Sequence, residues 1–295
     1  MVNDKTAELV LTADGAISNI IFVEELVAAA PKIDNWMFTA LKPASDIENF
    51  NINMGNYNFG KENLCFYFTQ DDNFPDEIDI TVVHEDLNSE NKQVITNGTL
   101  IFLDNYIGEL NFATTIDRIN VVGKEYVTNE LVPIAKLKDF LIWREKEFLE
   151  KYDGIRHNTK DDKYNMLEGT LKNGNPILAV INTDLLNWDS KASHPWILRI
   201  DVKFAADKYG LPNKTDYELL DNLEDNLLIS LKDSEGYLNI GRETAEGLRE
   251  IYFACKDFRK PSKILHQIKS STAFELTYEI YKDKYWQSVN RFTNN

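Results

Sequence analysis

The run from Trp196 to Phe204, WILRIDVKF, alternates between apolar and polar residues from Leu198 onward. Trp196, Leu198, Ile200, Val202 and Phe204 fall on one side of an extended chain, and Arg199, Asp201 and Lys203 on the other. Side chains alternate across a strand, so this run is expected to form a strand with one apolar and one largely polar face. The period then changes. After Gly210-Leu211-Pro212, the residues Tyr217, Leu220, Leu223, Leu227 and Leu231 recur at helical spacing, which predicts a helix over Asp216–Lys232 with Glu218, Asp221, Glu224 and Asp225 facing water. Strands are predicted at Tyr237–Ile240 and Leu248–Cys255, a helix at Pro261–Ser270 with proline in its first turn, and a closing strand at Phe274–Tyr281.

Strand, helix, strand, strand, helix, strand is the split βαβ of a ferredoxin-like sandwich, an antiparallel sheet with helices on one face. Upstream, Met166–Leu171 and Ile177–Asn182 flank Lys172-Asn173-Gly174-Asn175, a hairpin signal that adds strands before the sandwich. The first half alternates in a similar way. Helices are predicted at Ile20–Ala30, Asn91–Ile107 and Val132–Tyr152, with strands at Trp36–Leu41, Leu64–Thr69, Glu77–His84 and Phe112–Val122. The expected fold class is α+β, two ferredoxin-like α/β sandwich domains with mainly antiparallel sheets. The last of these helices runs into Tyr152-Asp153-Gly154 and then a polar stretch, IRHNTKDDK, so the expected domains are 1–154 and 155–295.

The charge changes at the same place. From Met1 to Tyr152 there are 26 Asp and Glu against 12 Lys and Arg, while from Asp153 to Asn295 there are 22 against 20. A chain with net charge -16 is repelled by nucleic-acid phosphates and anionic lipid, and no apolar run approaches the roughly 18 residues of a spanning helix. Neither nucleic acid nor membrane is an expected partner. The acidity of the first half has two readings, a surface for a basic protein partner or simple solubility. The segment MVNDKTAELVLTADG has no basic stretch leading into an apolar one, so a cytoplasmic location is expected.

Chemistry-bearing motifs are few. His84, His157, His194 and His266 share no metal-binding spacing, and Cys65 and Cys255 sit in apolar runs where cysteine acts as a small hydrophobe. There is no P-loop, no dinucleotide fingerprint and no nucleophile elbow. No cofactor, no metal and no catalytic residue are expected. The segment Gly241-Arg242-Glu243-Thr244-Ala245-Glu246-Gly247-Leu248-Arg249 stands out, because two glycines bracket a polar turn that two arginines flank. Arginine's planar fork suits a carboxylate or phosphate, and glycine permits close backbone approach, which makes Arg242, Thr244 and Arg249 the candidate binding residues. The other reading pairs these arginines with helix carboxylates such as Glu224 or Asp225.

Several motifs of the second half occur in the order Pro176-Ile177-Leu178-Ala179-Val180-Ile181-Asn182, His194-Pro195-Trp196, Gly210-Leu211-Pro212, and Tyr237-Leu238-Asn239-Ile240-Gly241-Arg242-Glu243-Thr244 running on to Gly247-Leu248-Arg249. With a closing Asp283–Trp286 segment, they give roughly Lys163–Phe292 a resemblance to DUF695, a family of domains of unknown function. The stretches Ala30–Trp36 and Leu103–Glu109 resemble the segment that precedes this domain in some longer relatives. The resemblance implies no activity, cofactor or catalytic residue. The expected function is a binding or regulatory module acting through protein–protein contact. The alternative is an enzyme or small-molecule binder with its site in a cleft between the two domains.

Overall fold

The computed structural model describes residues 6–293. The chain divides into two compact units, Met1–Lys151 and Tyr152–Asn295, in a mixed α+β architecture whose strand pairs are mostly antiparallel.

In the first unit β1 (Ala7–Leu11) and β2 (Trp36–Ala40) pair in parallel and are joined through α1 (Ile17–Ala28). A short hairpin of β3 (Ile52–Met54) and β4 (Tyr57–Phe59) follows. The main sheet is built from β5 (Leu64–Thr69), β6 (Asp79–His84), β7 (Arg118–Val122) and the two-residue β8 (Val132–Pro133), in the order β7-β6-β5-β8. The crossover from β6 to its parallel neighbour β7 runs through α2 (Lys92–Ile107) and α3 (Glu109–Thr114), and α4 (Leu137–Tyr152) ends the unit. Phe66, Ile80, Val82, Phe102, Leu137 and Leu141 form the centre of its core.

This unit is not a ferredoxin-like sandwich, so the expected pair of sandwiches is corrected here. Only one crossover feeds its four-stranded sheet, and β6 and β7 are parallel, a pairing that local alternation does not encode. Phe112–Val122, expected as one strand, is a helical turn followed by the shorter β7.

Gly98 shows how tightly α2 sits on the β3–β4 hairpin. A methyl group at this position would overlap the fully buried ring of Phe59. Alanine is worth about 1 kcal/mol over glycine in a helix interior, yet overpacking a dense core costs about 1–3 kcal/mol. Gly98→Ala is therefore expected to lower the midpoint of a urea melt; a raised midpoint would mean that Phe59 can move away cheaply.

The second unit is one six-stranded sheet. Its strands are β9 (Tyr164–Thr170), β10 (Pro176–Asn182), β11 (Trp196–Lys203), β12 (Tyr237–Ala245), β13 (Leu248–Cys255) and β14 (Glu275–Lys282). They lie in the order β14-β11-β13-β12-β10-β9, every neighbour antiparallel. The short α5 (Thr183–Leu186) follows β10, α6 (Lys214–Ser230) joins β11 to β12, and α7 (Arg259–Ser271) joins β13 to β14. Counted from β11, the last four strands take the order four-one-three-two, and the β9–β10 hairpin extends the sheet beyond β12.

The two faces of this sheet are covered differently. Ala179, Ile181, Ile197, Leu238, Ile240 and Tyr252 pack with Trp286, Val289 and Phe292 of the closing segment. The opposite face carries Leu198, Ile200 and Val202, and belongs with the buried stripe Leu220, Leu223 and Leu227 of α6.

One strand end differs from the sequence reading, and it moves the candidate site. Gly241 does not open a turn: β12 runs through it to Ala245. It sits at an irregularity in the register with φ +141°, where a side chain would strike the backbone carbonyl of Val180 on β10. The turn itself is Glu246-Gly247, both with positive φ, the two-residue connection that suits a twisted hairpin.

Candidate binding pocket

Directly opposed residues of antiparallel strands point to the same face, so the register assembles two rows across the second sheet. The first row is Ile200, Ile251, Arg242, Val180 and Met166, and the second is Val202, Arg249, Thr244, Leu178 and Glu168. In each row an aliphatic residue buried at β11 gives way to arginine on β12 or β13 and then to an aliphatic residue on β10; β9 adds Met166 to the first row and Glu168 to the second. Ile200 and Val202 are fully buried, whereas Met166 is 76% exposed. On this face the cover ends before Met166 of β9, and a pocket of about 130 Å³ opens at that step. Arg242, Thr244 and Arg249 line it together with Met166, Leu178 and Val180; Leu211, Pro212 and Tyr217 close the side toward α6.

The three sequence-predicted residues thus meet in one place, though not as a turn. Arg249 is the most buried cation of the site, with 1% of its side chain exposed. Its Nε donates to Thr244 Oγ1 at 3.2 Å and its Nη1 to Asp221 Oδ1 at 2.9 Å, and Glu224 Oε2 lies 3.8 Å from the same nitrogen. The Tyr217 ring stacks over the guanidinium at 5.3 Å from its centroid. Arg242 donates through Nη1 to Glu224 Oε2 at 2.7 Å.

Burial sets the electrostatics of the pair. It pushes the Glu224 carboxyl above its usual range, against the pull of Arg242 and Arg249. At Arg242 burial works toward deprotonation, but Glu224 outweighs it and holds the guanidinium above its ordinary pKa.

The arginines pair with helix carboxylates, as the second sequence reading expects, and they also line a pocket. Glu224 is one partner. Asp225 is exposed, and Asp221, one turn before Glu224 and on its side of α6, takes the second place. Sequence reasoning missed Asp221 and Tyr217 as members of the site. Their spacing with Glu224, at i, i+4 and i+7, carried the signal, but nothing local showed that this stripe faces β12 and β13. It also missed Met166, Leu178 and Val180, which only the register brings beside the arginines.

Among the described residues, no group of three or more His, Cys, Asp or Glu could hold a metal ion. His157 pairs with Asp162 at 2.8 Å, and burial in the first place, with help from nearby cations, pushes His194 down to about 4. Cys255 is buried and its thiol is pushed well above its usual value. No helix among the described residues is long and apolar enough to cross a membrane.

Residues 169–292 match the model of a family of unknown function, DUF695, so the resemblance read from the carboxy-terminal motifs stands for that segment. The match includes Leu178, Val180, α6 and all three candidate residues, and it leaves out Met166. Neither the curated proteins nor the solved structures contain a match to the chain.

Proposed function

We propose that the protein is a binding module acting through protein–protein contact, and that the pocket of its second unit seats an apolar side chain of the partner. The observation that carries this reading is the row Arg242, Val180, Met166, where sheet runs out from under α6 and leaves aliphatic surface open beside fixed polar groups. Pockets that bind are mostly apolar with a few placed polar groups, and this one has that balance. Its size also suits one side chain, since an apolar cavity of about 150 Å³ holds a benzene molecule. On this reading, β11–β14 with α6 and α7 are a ferredoxin-like core to which the β9–β10 hairpin adds the binding platform.

Small apolar probes test the pocket without knowledge of the partner. Phenol at millimolar concentration is expected to raise the melting temperature of the wild type by mass action. Met166→Asp should abolish most of that rise while leaving the unliganded melt unchanged, because Met166 is largely in water. Equal rises in both proteins would place phenol elsewhere.

The charge of the first half supports a further element of the proposal, a basic partner drawn to its 26 acidic residues against 12 basic ones. Steering of this kind weakens as salt screens it. Capture of one and the same partner at about 20 mM and about 150 mM salt should then give clearly less at the higher concentration. Equal recovery at both would assign the acidity to solubility.

A further inference from the structure

We infer that the group read by this pocket is a carboxylate on a small apolar body; the inference rests on the pocket being a binding site, as proposed above. Three observations converge on it. The first is charge. The side chains of Arg242, Arg249 and Glu224 are 23%, 1% and 9% exposed, whereas Asp221 is 42% exposed. The buried part of the site therefore holds two guanidiniums against one carboxylate, with Asp221 screened by water.

The second is unused donors. Among the described residues, Arg242 engages only Nη1 in hydrogen bonding, and Arg249 only Nε and Nη1. Arg242 Nε and Nη2 and Arg249 Nη2 are left, on two side chains that line the same pocket. A planar carboxylate matches a guanidinium fork in geometry. The third is the wall. Val180, Leu178 and Pro212 accept an aliphatic or single-ring body and offer nothing to a strongly hydrated ion. Because Asp221 meets Arg249 from the water side, the excess positive charge at the buried end is partial, enough for a monocarboxylate and too little for a dianionic phosphate.

The same chemistry comes from a free monocarboxylic acid or from the last residue of a polypeptide ending in an apolar side chain. Calorimetric titration of the full chain separates the sources and tests the charge. The probes are phenylacetate, phenylacetamide, a tripeptide Gly-Gly-Leu with a free end, the same peptide amidated, and inorganic phosphate. Both carboxylates are expected to bind, each amide about tenfold or more weaker, and phosphate not at all. The stronger of the two carboxylates identifies the source. Arg242→Gln should erase the difference between acid and amide, and the wild-type comparison stands even if that variant folds poorly. Equal binding of acid and amide would overturn the carboxylate assignment while leaving the pocket a binding site. Phosphate binding as tight as the acids would overturn it as well. No binding by any probe would overturn the pocket reading together with it.

Discussion

Arg249→Ala is expected to cost about 3 kcal/mol of stability in the second unit. That is the low end of what breaking a buried ion pair costs, because Glu224 keeps Arg242 and Asp221 lies half in water. Part of the loss is packing, since the aliphatic stem of a 1%-exposed arginine leaves a hole. Arg249→Met keeps the stem and isolates the charge. In that variant Glu224 has lost one of the two cations that oppose its burial, so its folded-state pKa, already raised, rises further.

A carboxyl with a raised folded-state pKa removes stability as pH climbs from the unfolded value, about 4.3, toward the folded one. The deficit of Arg249→Met relative to wild type should therefore be small near pH 4 and largest at neutral pH. Adding Glu224→Gln should recover part of the neutral-pH loss, a coupling that urea melts of the double-mutant cycle read directly. A deficit independent of pH would assign the whole effect to packing.

Trp286→Ala is expected to cost about 3–5 kcal/mol, the range for removing a large buried aromatic. Trp286 is fully buried in the cluster that holds the closing segment against the sheet. Its indole Nε1 donates to the carbonyl of His194 at 3.0 Å, which ties the end of the chain to the entry of β11. Its backbone is left-handed, with φ 55°, so packing rather than backbone preference keeps it in place. Trp286→Phe retains most of the apolar contact, loses the hydrogen bond and should cost about 1–2 kcal/mol. If alanine costs no more than phenylalanine in urea melts, the closing segment is peripheral to the unit.

The parts of this fold that were legible in the sequence are those written in local periods. WILRIDVKF alternates and is β11, and the leucine stripe of α6 lies where helical spacing puts it. Asn-Gly between two apolar runs marks the β9–β10 hairpin. Pairings between distant segments were not legible. The run from Asp79 to His84 is rich in β-branched residues, which suits a strand, but nothing in it says that β7 is its parallel neighbour. The parallel pair of β1 and β2 depends on α1 folding between them, and the five residues 7–11 alone are too short to announce it.

The site was half legible for the same reason. Arg242, Thr244 and Arg249 stood out by residue type, and Glu224 by reach. Gly241, however, has two meanings in sequence, a turn or a close approach of backbone. Its neighbour Val180, more than sixty positions away, decides between them. Once the strand continues through Gly241, both arginines point to the helix side, and the pocket follows from where α6 stops covering the sheet.

Amide mapping by NMR during titration with phenylacetate tests the pocket most directly. Saturable shifts are expected at Val180, Arg242, Thr244 and Tyr217, with β14 at the far edge of the sheet unmoved. Shifts scattered over both units, or saturable shifts that leave those four residues unmoved, would contradict the pocket reading.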